Sequence, residues 1–543
     1  MSQNLVIVES PAKAKTIEKF LGPGYIVKSS IGHIRDMPKK DMGIDIENNF
    51  QPTYTISTDK KKVVADLKKS AKAATKIYLA TDEDREGEAI AWHLQQALSL
   101  AEDTPRIVFH EITKGAITEA ISKPRTINTD LVNAQQARRI IDRLVGFEIS
   151  PVLWRKISGA RSAGRVQSPV VRLVVERERE ISAHKPTSSH KVKATLTNSI
   201  GESLEARLSE DFKSKENAMD FVQSILDSTM KVESVETKPS KRSPKAPFIT
   251  STLQQEASQK LGFSVKQTMS IAQNLYREGV ITYMRTDSLT LSELAITAAQ
   301  EVIVSKFGSD HHHARRYKTN STGAQEAHEA IRPTDLTKPT ILGLDEQSAK
   351  LYSLIYKRTL ASQMSDAQLQ KTKININISN RSERFIADGE MLTFGGFLEV
   401  YDYMAAEDKL LPKIDKGDAL SLMDLTSKES FSRAKPRYTE ASLVKEIEQM
   451  GIGRPSTFAT MITTVQDRNY VLKDTREGIQ RDYQLIEIVD GVISESIQTE
   501  TTGAEKNKLF PTNVAYLLVD FLVKNFRNIL AMSSPQILKL ILI

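Results

Sequence analysis

Ile77-Tyr78-Leu79-Ala80-Thr81-Asp82-Glu83-Asp84-Arg85-Glu86-Gly87-Glu88 sets a short apolar run directly before three alternating acids, Asp82, Asp84 and Glu86. An apolar run of this length between polar flanks predicts a buried strand. Glu88 to Leu98, rich in good helix formers at helical spacing, predicts the helix that follows. The acids then stand at the carboxyl end of a strand, where open α/β sheets place their ligands. Carboxylates packed this closely repel one another unless a cation or a proton intervenes. A helix start whose acids are favoured by the helix dipole would read the same way, so the stretch by itself leaves both interpretations open.

Working outward, Leu5-Val6-Ile7-Val8 is a second apolar run ending in an acid, Glu9, and Ser10-Pro11 opens a helix through Phe20. Two strand-then-helix units of this kind predict a small parallel α/β domain reaching to about residue 125, with Glu9 beside the acidic triplet. From Leu131 to Glu180 the pattern is helical and basic, and alternation between residues 184 and 243 predicts a β-rich region to which Lys373–Ser379 returns. Lys238 to Pro247 reads as a basic, proline-rich linker or hinge. Thr252–Met284 and Glu440–Leu472 share one layout of helix, glycine break, helix and short strand, with Ile281–Met284 and Tyr470–Leu472 as the strands. That layout is the outline of a helix-turn-helix module.

A chain of 543 residues, 40% hydrophobic and 26% charged, holds several domains of ordinary soluble composition. It has no cysteine, which excludes disulfides and thiolate metal sites, and its nine histidines lack zinc spacing; His311-His312-His313 reads as a loop. No apolar run has membrane-spanning length and the N-terminus has no signal-peptide layout, so a cytoplasmic protein with no membrane partner is expected. The net charge of +7 is a mild hint of a polyanionic partner. Its distribution says more, because basic residues gather in Arg138-Arg139-Ile140-Ile141-Asp142-Arg143 and between Arg155 and Arg165.

Six ordered stretches carry a family resemblance. They are Leu5–Ile17, the acidic segment above, Ser162–Pro169, Gly279–Ser288, Ala324–Thr334 and Gly451–Thr457. In them the chain resembles the type IA DNA topoisomerases, and Met284 is similar to the bacterial topoisomerase I branch more than to the topoisomerase III branch. The resemblance implies a multidomain α/β and α+β toroid around a duplex-sized hole. Residues 1–125 would form a Toprim α/β domain with the metal and phosphate site, and 126–183 plus 436–530 a helical, CAP-like DNA-gripping domain. Residues 184–243 plus 369–435 would form a β-rich arch, and 244–368 a helical domain carrying the nucleophile. After Arg527 the sequence departs from the family; the apolar tail 531–543 is expected to arise from a frameshift or premature stop.

The same resemblance makes Tyr283 the nucleophile, attached to a 5′ phosphate in the covalent intermediate. Phosphotyrosine stores the energy of the broken phosphodiester, which accords with the lack of a G-x-x-x-x-G-K-[ST] loop. Arg285 would hold the scissile phosphate, Lys13 neutralise one of its oxygens, and Glu9 shuttle the proton of the 3′ hydroxyl. Asp82, Asp84 and Glu86, with Glu9, would hold Mg²⁺, partly through water. Arg138, Arg139, Asp142, Arg143 and Gln167 would grip single-stranded DNA, joined by His33, Arg165 and Asp287, while His328 and Arg332 orient phosphate. Arg138 and Asp142, four apart on a helix, also suit a structural ion pair. Phe147 stands where many relatives have tyrosine, so base stacking is retained and a hydroxyl contact is not. The implied activity is ATP-independent relaxation of negatively supercoiled DNA by a monomeric, nucleoid-associated enzyme. Its rivals are a topoisomerase III-like decatenase and a truncated DNA-binding protein with impaired turnover.

Overall fold

The computed structural model describes residues 3–164, 167–318, 329–401 and 409–526; Arg165, His328 and the tail 531–543 lie outside the described residues. Strand β1 (Asn4–Val8) runs between β2 (Tyr25–Ser29) and β3 (Ile77–Leu79), parallel to both. Val6, Val8 and Tyr78 enter one apolar core while Leu5, Ile7 and Leu79 enter another. A sheet covered on both faces explains why these strands read as unbroken apolar runs rather than alternating ones. Helix α1 (Pro11–Leu21) starts with Pro11 in its first turn, and Ser10 Oγ accepts the Lys13 N–H at 3.2 Å. Helix α2 (Arg85–Leu98) is capped by Asp84, whose Oδ1 accepts the Gly87 N–H at 2.7 Å. A Cβ on Gly87 would run into the Asp82 backbone, so glycine is what lets the acidic loop fold back onto the helix.

The helical unit begins with α3 (Thr129–Lys156) and α4 (Gln167–Ala183). The arch follows, with β4 (Ser188–Thr197), β5 (Ser203–Leu208), β6 (Met230–Arg242), β7 (Ala367–Ile378), β8 (Arg384–Phe394) and β9 (Ala419–Phe431). These six pair antiparallel in the order β6-β7-β8-β5-β4-β9, and Met230 of β6 meets Leu420 of β9, which closes the set on itself. Inserted between β6 and β7 is the unit carrying Tyr283, with α5 (Thr250–Glu256) and α6 (Val265–Arg277) separated by Gly262 at φ +72°. The chain then returns to the helical unit through α7 (Glu440–Gln449), α8 (Phe458–Asp467), β10 (Val471–Arg476), β11 (Ile479–Val489), β12 (Val492–Thr502), β13 (Glu505–Pro511) and α9 (Asn513–Asn525).

Three local expectations differ from the structure. Residues 238–242 belong to β6 rather than to a linker, and Pro239 faces Gln370 of β7. Proline is tolerated there because β6 is an edge strand over this stretch, so its missing N–H takes no ladder bond away. Ile281–Met284 is extended but has only an isolated bridge, Ile281 to Pro333, because its neighbours are loop carbonyls instead of a strand. The hairpin β11–β12, assigned from sequence to the helical unit, adds to β9 at the sheet edge, where Ile486 and Ile488 join the arch core.

The units make a closed circuit of contacts. The arch joins the tyrosine unit through β6, β7 and β8, and Phe397 and Tyr401 just beyond β8 enter that unit's core. The tyrosine unit shares its core with one face of the small parallel sheet, Tyr276, Ile281 and Tyr283 packing with Val6, Tyr78 and Phe109. It also meets the helical unit, where Ser251 Oγ donates to Glu448 and the Val265 N–H donates to Glu440 Oε2 at 3.2 Å.

Candidate active site

The acids end β3 and start α2, and Tyr283 is brought to them across the boundary between two units. Its backbone N–H donates to the His110 carbonyl at 2.8 Å, and Gly279, at φ +76°, sits against the Ile112 carbonyl where a Cβ would collide. The Tyr283 hydroxyl donates to Asp84 Oδ2. Burial raises the Tyr283 phenol well above its ordinary value, the carboxylates of Asp82 and Asp84 push the same way, and Arg285 opposes them. The resting phenol is therefore protonated, with an acceptor already in place. Arg285 Nη1 lies 3.8 Å from Asp84 Oδ2.

Lys13 is 1% exposed and its Nζ lies 2.5 Å from Asp82 Oδ1 and 2.8 Å from Glu9 Oε1. Two rings wall the ammonium, with the Phe109 and Tyr276 centroids 5.3 and 5.2 Å away. Burial works against its charge, but the Asp82 and Glu9 carboxylates override burial and raise Lys13 above its ordinary value. Glu9 is pushed up to about 7 by burial and then by the Asp82 carboxylate, with Lys13 pulling the other way. Its Oε2 is buried with no hydrogen-bond partner among the described residues, an acceptor left over for a substrate atom. Tyr276 also meets the Tyr283 ring edge-on at 5.2 Å.

The four acids do not converge on one point, and among the described residues no group of three or more potential ligands could hold a metal ion. Asp82 and Glu9 are bridged by Lys13 rather than left facing a cation. Asp84 and Glu86, by contrast, line one cleft together with Arg138, Arg285, Asp287 and Arg454. Two carboxylates on a water-accessible wall suit Mg²⁺, which keeps most of its hydration shell and uses few protein ligands. Glu86 is held below the usual carboxylate range by a hydrogen bond from His33, whose Nε2 is 3.5 Å from Glu86 Oε2, and Gln135 Nε2 donates to the same oxygen at 3.2 Å.

The remaining residues selected from sequence divide. Arg138 lies on the cleft wall and 3.8 Å from Asp142, the i,i+4 pair the helix spacing allows. Arg139 pairs with Asp36 at 2.6 Å, and Arg143 is wrapped by the carbonyls of Pro38, Asp41 and Met42 while covering the Phe147 ring at 4.5 Å. Gln167 Nε2 donates to Ser162 Oγ at 2.9 Å, leaving its Oε1 buried and unpartnered among the described residues. Arg332 is 7% exposed and its Nη2 is shared between Glu111 at 3.0 Å and Glu329 at 2.5 Å, joining the two units across the boundary. Sequence reasoning missed Asp84 as the acceptor of the tyrosine proton, the Phe109 and Tyr276 walls around Lys13, and Arg454 on the cleft. The first two are set by contacts across 199 and 263 residues of chain, which no local pattern reports. Arg454 lay inside a quoted motif and its charge was the available signal.

Residues 126–509 match a family model described as DNA topoisomerase, and residues 4–112 match that of the Toprim domain. The chain is 46% identical over 528 residues to DNA topoisomerase 1 of Streptomyces coelicolor, covering 87% of this chain and 56% of that protein. It is 44% identical over 531 residues to DNA topoisomerase 1 of Campylobacter jejuni, covering 94% and 75%. Against DNA topoisomerase 1 of Escherichia coli it is 45% identical over 518 residues, covering 88% and 60%. The solved structure of full-length topoisomerase I from Thermotoga maritima superposes with a TM-score of 0.83 at 36% identity, covering 99% of this chain and 86% of that one. The chain thus spans little more than half of the Streptomyces relative and three quarters of the Campylobacter one.

Proposed function

Because this chain belongs to the type IA DNA topoisomerase family, we propose that it relaxes negatively supercoiled DNA without ATP, by cutting one strand, passing the other and resealing the cut. The observation that carries the reading is the Tyr283 hydroxyl donating to Asp84 beside the buried Glu9–Lys13–Asp82 group, with nucleophile and acids on separate units.

As the phenolic oxygen bonds to phosphorus, its proton passes to Asp84 Oδ2. Arg285 holds a phosphate oxygen from the same side, and Lys13, already charged, offsets the negative charge that develops. The P–O3′ bond breaks and the departing 3′ oxygen takes its proton from Glu9. A carboxyl titrating near 7 both gives that proton and takes it back on resealing. Asp84 and Glu86 would hold Mg²⁺, which when bound would supply positive charge to the phosphate. Meanwhile Tyr283 moves away with its own unit, breaking the contacts to Asp84 and Glu448, and the covalent bond carries the 5′ end with it. The acting species is a single chain in the cytoplasm, with a single-stranded DNA segment along α3 and duplex inside the ring.

Plasmid relaxation with Mg²⁺, beside Tyr283→Phe and an excess of EDTA, tests this. Relaxation by the parent alone, lost in EDTA, is expected. If both proteins retard DNA and neither relaxes it, the catalytic reading fails; relaxation that survives EDTA removes the metal assignment.

A further inference from the structure

The basic stretch Trp154–Arg161 takes no part in the site described above, although it begins on the last turn of the helix that reaches that site. Its aromatic residue is Trp154, 59% exposed on the last turn of α3. A solvent-facing indole is usually loosely held, yet this one is fixed: its Nε1 donates to the Arg161 carbonyl at 2.7 Å. The loop supplying that carbonyl is itself anchored by the buried Tyr470. The Tyr470 hydroxyl accepts the N–H groups of Arg161 and Ser162, both at 2.9 Å. Arg155 and Lys156 adjoin Trp154 in sequence and Arg161 supplies the carbonyl its indole donates to; all three are exposed and none is paired to a carboxylate among the described residues. Trp154 follows Phe147 by seven residues on the same helix, so the two aromatics share a face about 10 Å apart. Arg143 already lies over Phe147, making a cation and ring pair at the upstream position.

Rigid aromatic faces with unpaired cations beside them are how proteins hold single strands irrespective of sequence. We propose that Trp154 is a second base-stacking platform, on which an unpaired base of the single-stranded DNA lies after leaving Phe147, with Arg155 and Arg161 against its phosphates. The proposal rests on the single-strand-cutting function above and extends the strand's track beyond the residues assigned to it. Charge complementarity and continuity with α3 select a nucleic-acid strand over a protein partner, since the patch holds one ring and three cations without a carboxylate partner among the described residues rather than an apolar surface.

The chain has two tryptophans, Trp92 and Trp154, so Trp92→Phe leaves the platform as the sole indole emitter. Full-length Trp92→Phe protein is titrated with dye-labelled oligothymidylate, reading dye anisotropy for binding and indole emission for stacking. Saturable quenching at the same midpoint as the anisotropy change is expected, with little quenching by blunt duplex. Trp154→Ala in the parent should weaken oligothymidylate binding by ~5- to 150-fold, and Trp154→Phe should retain most of it. Binding without quenching, equal quenching by duplex, or unchanged affinity in Trp154→Ala overturns the platform and leaves the proposed function standing. Absence of binding in both readouts overturns the two together. A covalent adduct formed normally by Trp154→Ala on a saturating oligonucleotide shows that the variant is folded.

Discussion

Replacing Lys13 by methionine removes the one cation that holds Glu9 and Asp82 together in the interior. The parent ammonium is 2.5 and 2.8 Å from the two carboxylates and 1% exposed. Breaking a buried pair by deleting one partner costs about 3–5 kcal/mol, because the charge left behind is unpaired. Here two carboxylates remain, so burial and mutual repulsion raise both in the folded variant above their unfolded values near ~4. A folded-state carboxyl raised in this way contributes stability that is present below the unfolded value and lost as pH rises through the folded one. The deficit of the variant relative to the parent should therefore be about 3–5 kcal/mol at pH 8 and clearly smaller at pH 5, where the pair takes up protons. Urea unfolding in a Trp154→Phe background reads this directly, since the remaining indole, Trp92 on α2, reports the Toprim unit. An equal deficit at both pH values, or no deficit at pH 8, would refute the bridging role of Lys13.

Three further outcomes are expected. Single-turnover cleavage of an oligonucleotide should fall above pH 7 as Glu9, raised to about 7, loses its proton, while resealing should fall below pH 7; Glu9→Gln should flatten both limbs, and unchanged profiles would remove Glu9 as the shuttle. Gly87→Ala should destabilise the Toprim unit by about 1–3 kcal/mol and loosen the Asp84 cap, because the added methyl meets the Asp82 backbone; thermal unfolding and metal-dependent activity would both decline. Ser251→Ala leaves the half-buried Glu448 carboxyl, already raised by burial and by Asp287, without its donor. The boundary between tyrosine and helical units should weaken by about 1–3 kcal/mol, seen as faster amide exchange in α5 and α7 with the remaining elements unchanged.

The small parallel domain was legible because its information is local. Apolar runs of strand length, each closed by an acid and followed by a capped helix, specify β1, α1, β3 and α2 almost completely, and Ser10 and Asp84 cap as their positions suggest. The motifs that mark Tyr283 and its acids were also readable, and those residues do meet. What sequence left out depends on distant partners. Nothing within α1 reveals that Lys13 bridges Glu9 to Asp82, 69 residues away. Arg332 gave no sign that Glu111, from another unit, would engage it. Pro239 read as a break because its tolerance depends on whether its strand lies at an edge, a property of the sheet and not of the residue. The acidic triplet suggested one metal cage, whereas Lys13 bridges Asp82 to Glu9 and it is Asp84 and Glu86 that line the open cleft.

The three antiparallel strands that carry the tyrosine unit have a mechanical consequence. Over Glu236–Pro239 strand β6 is solvent-exposed, yet its ladder to β7 continues unbroken to Arg242 and Ala367. An antiparallel ribbon flexes across its plane at little cost, whereas sliding one strand past another breaks a row of hydrogen bonds at once. The tyrosine is thereby confined to an arc with one soft direction. On the proposed function, a severed end travelling on it would leave and return by the same path, guided by the stiffness of a sheet rather than by a search.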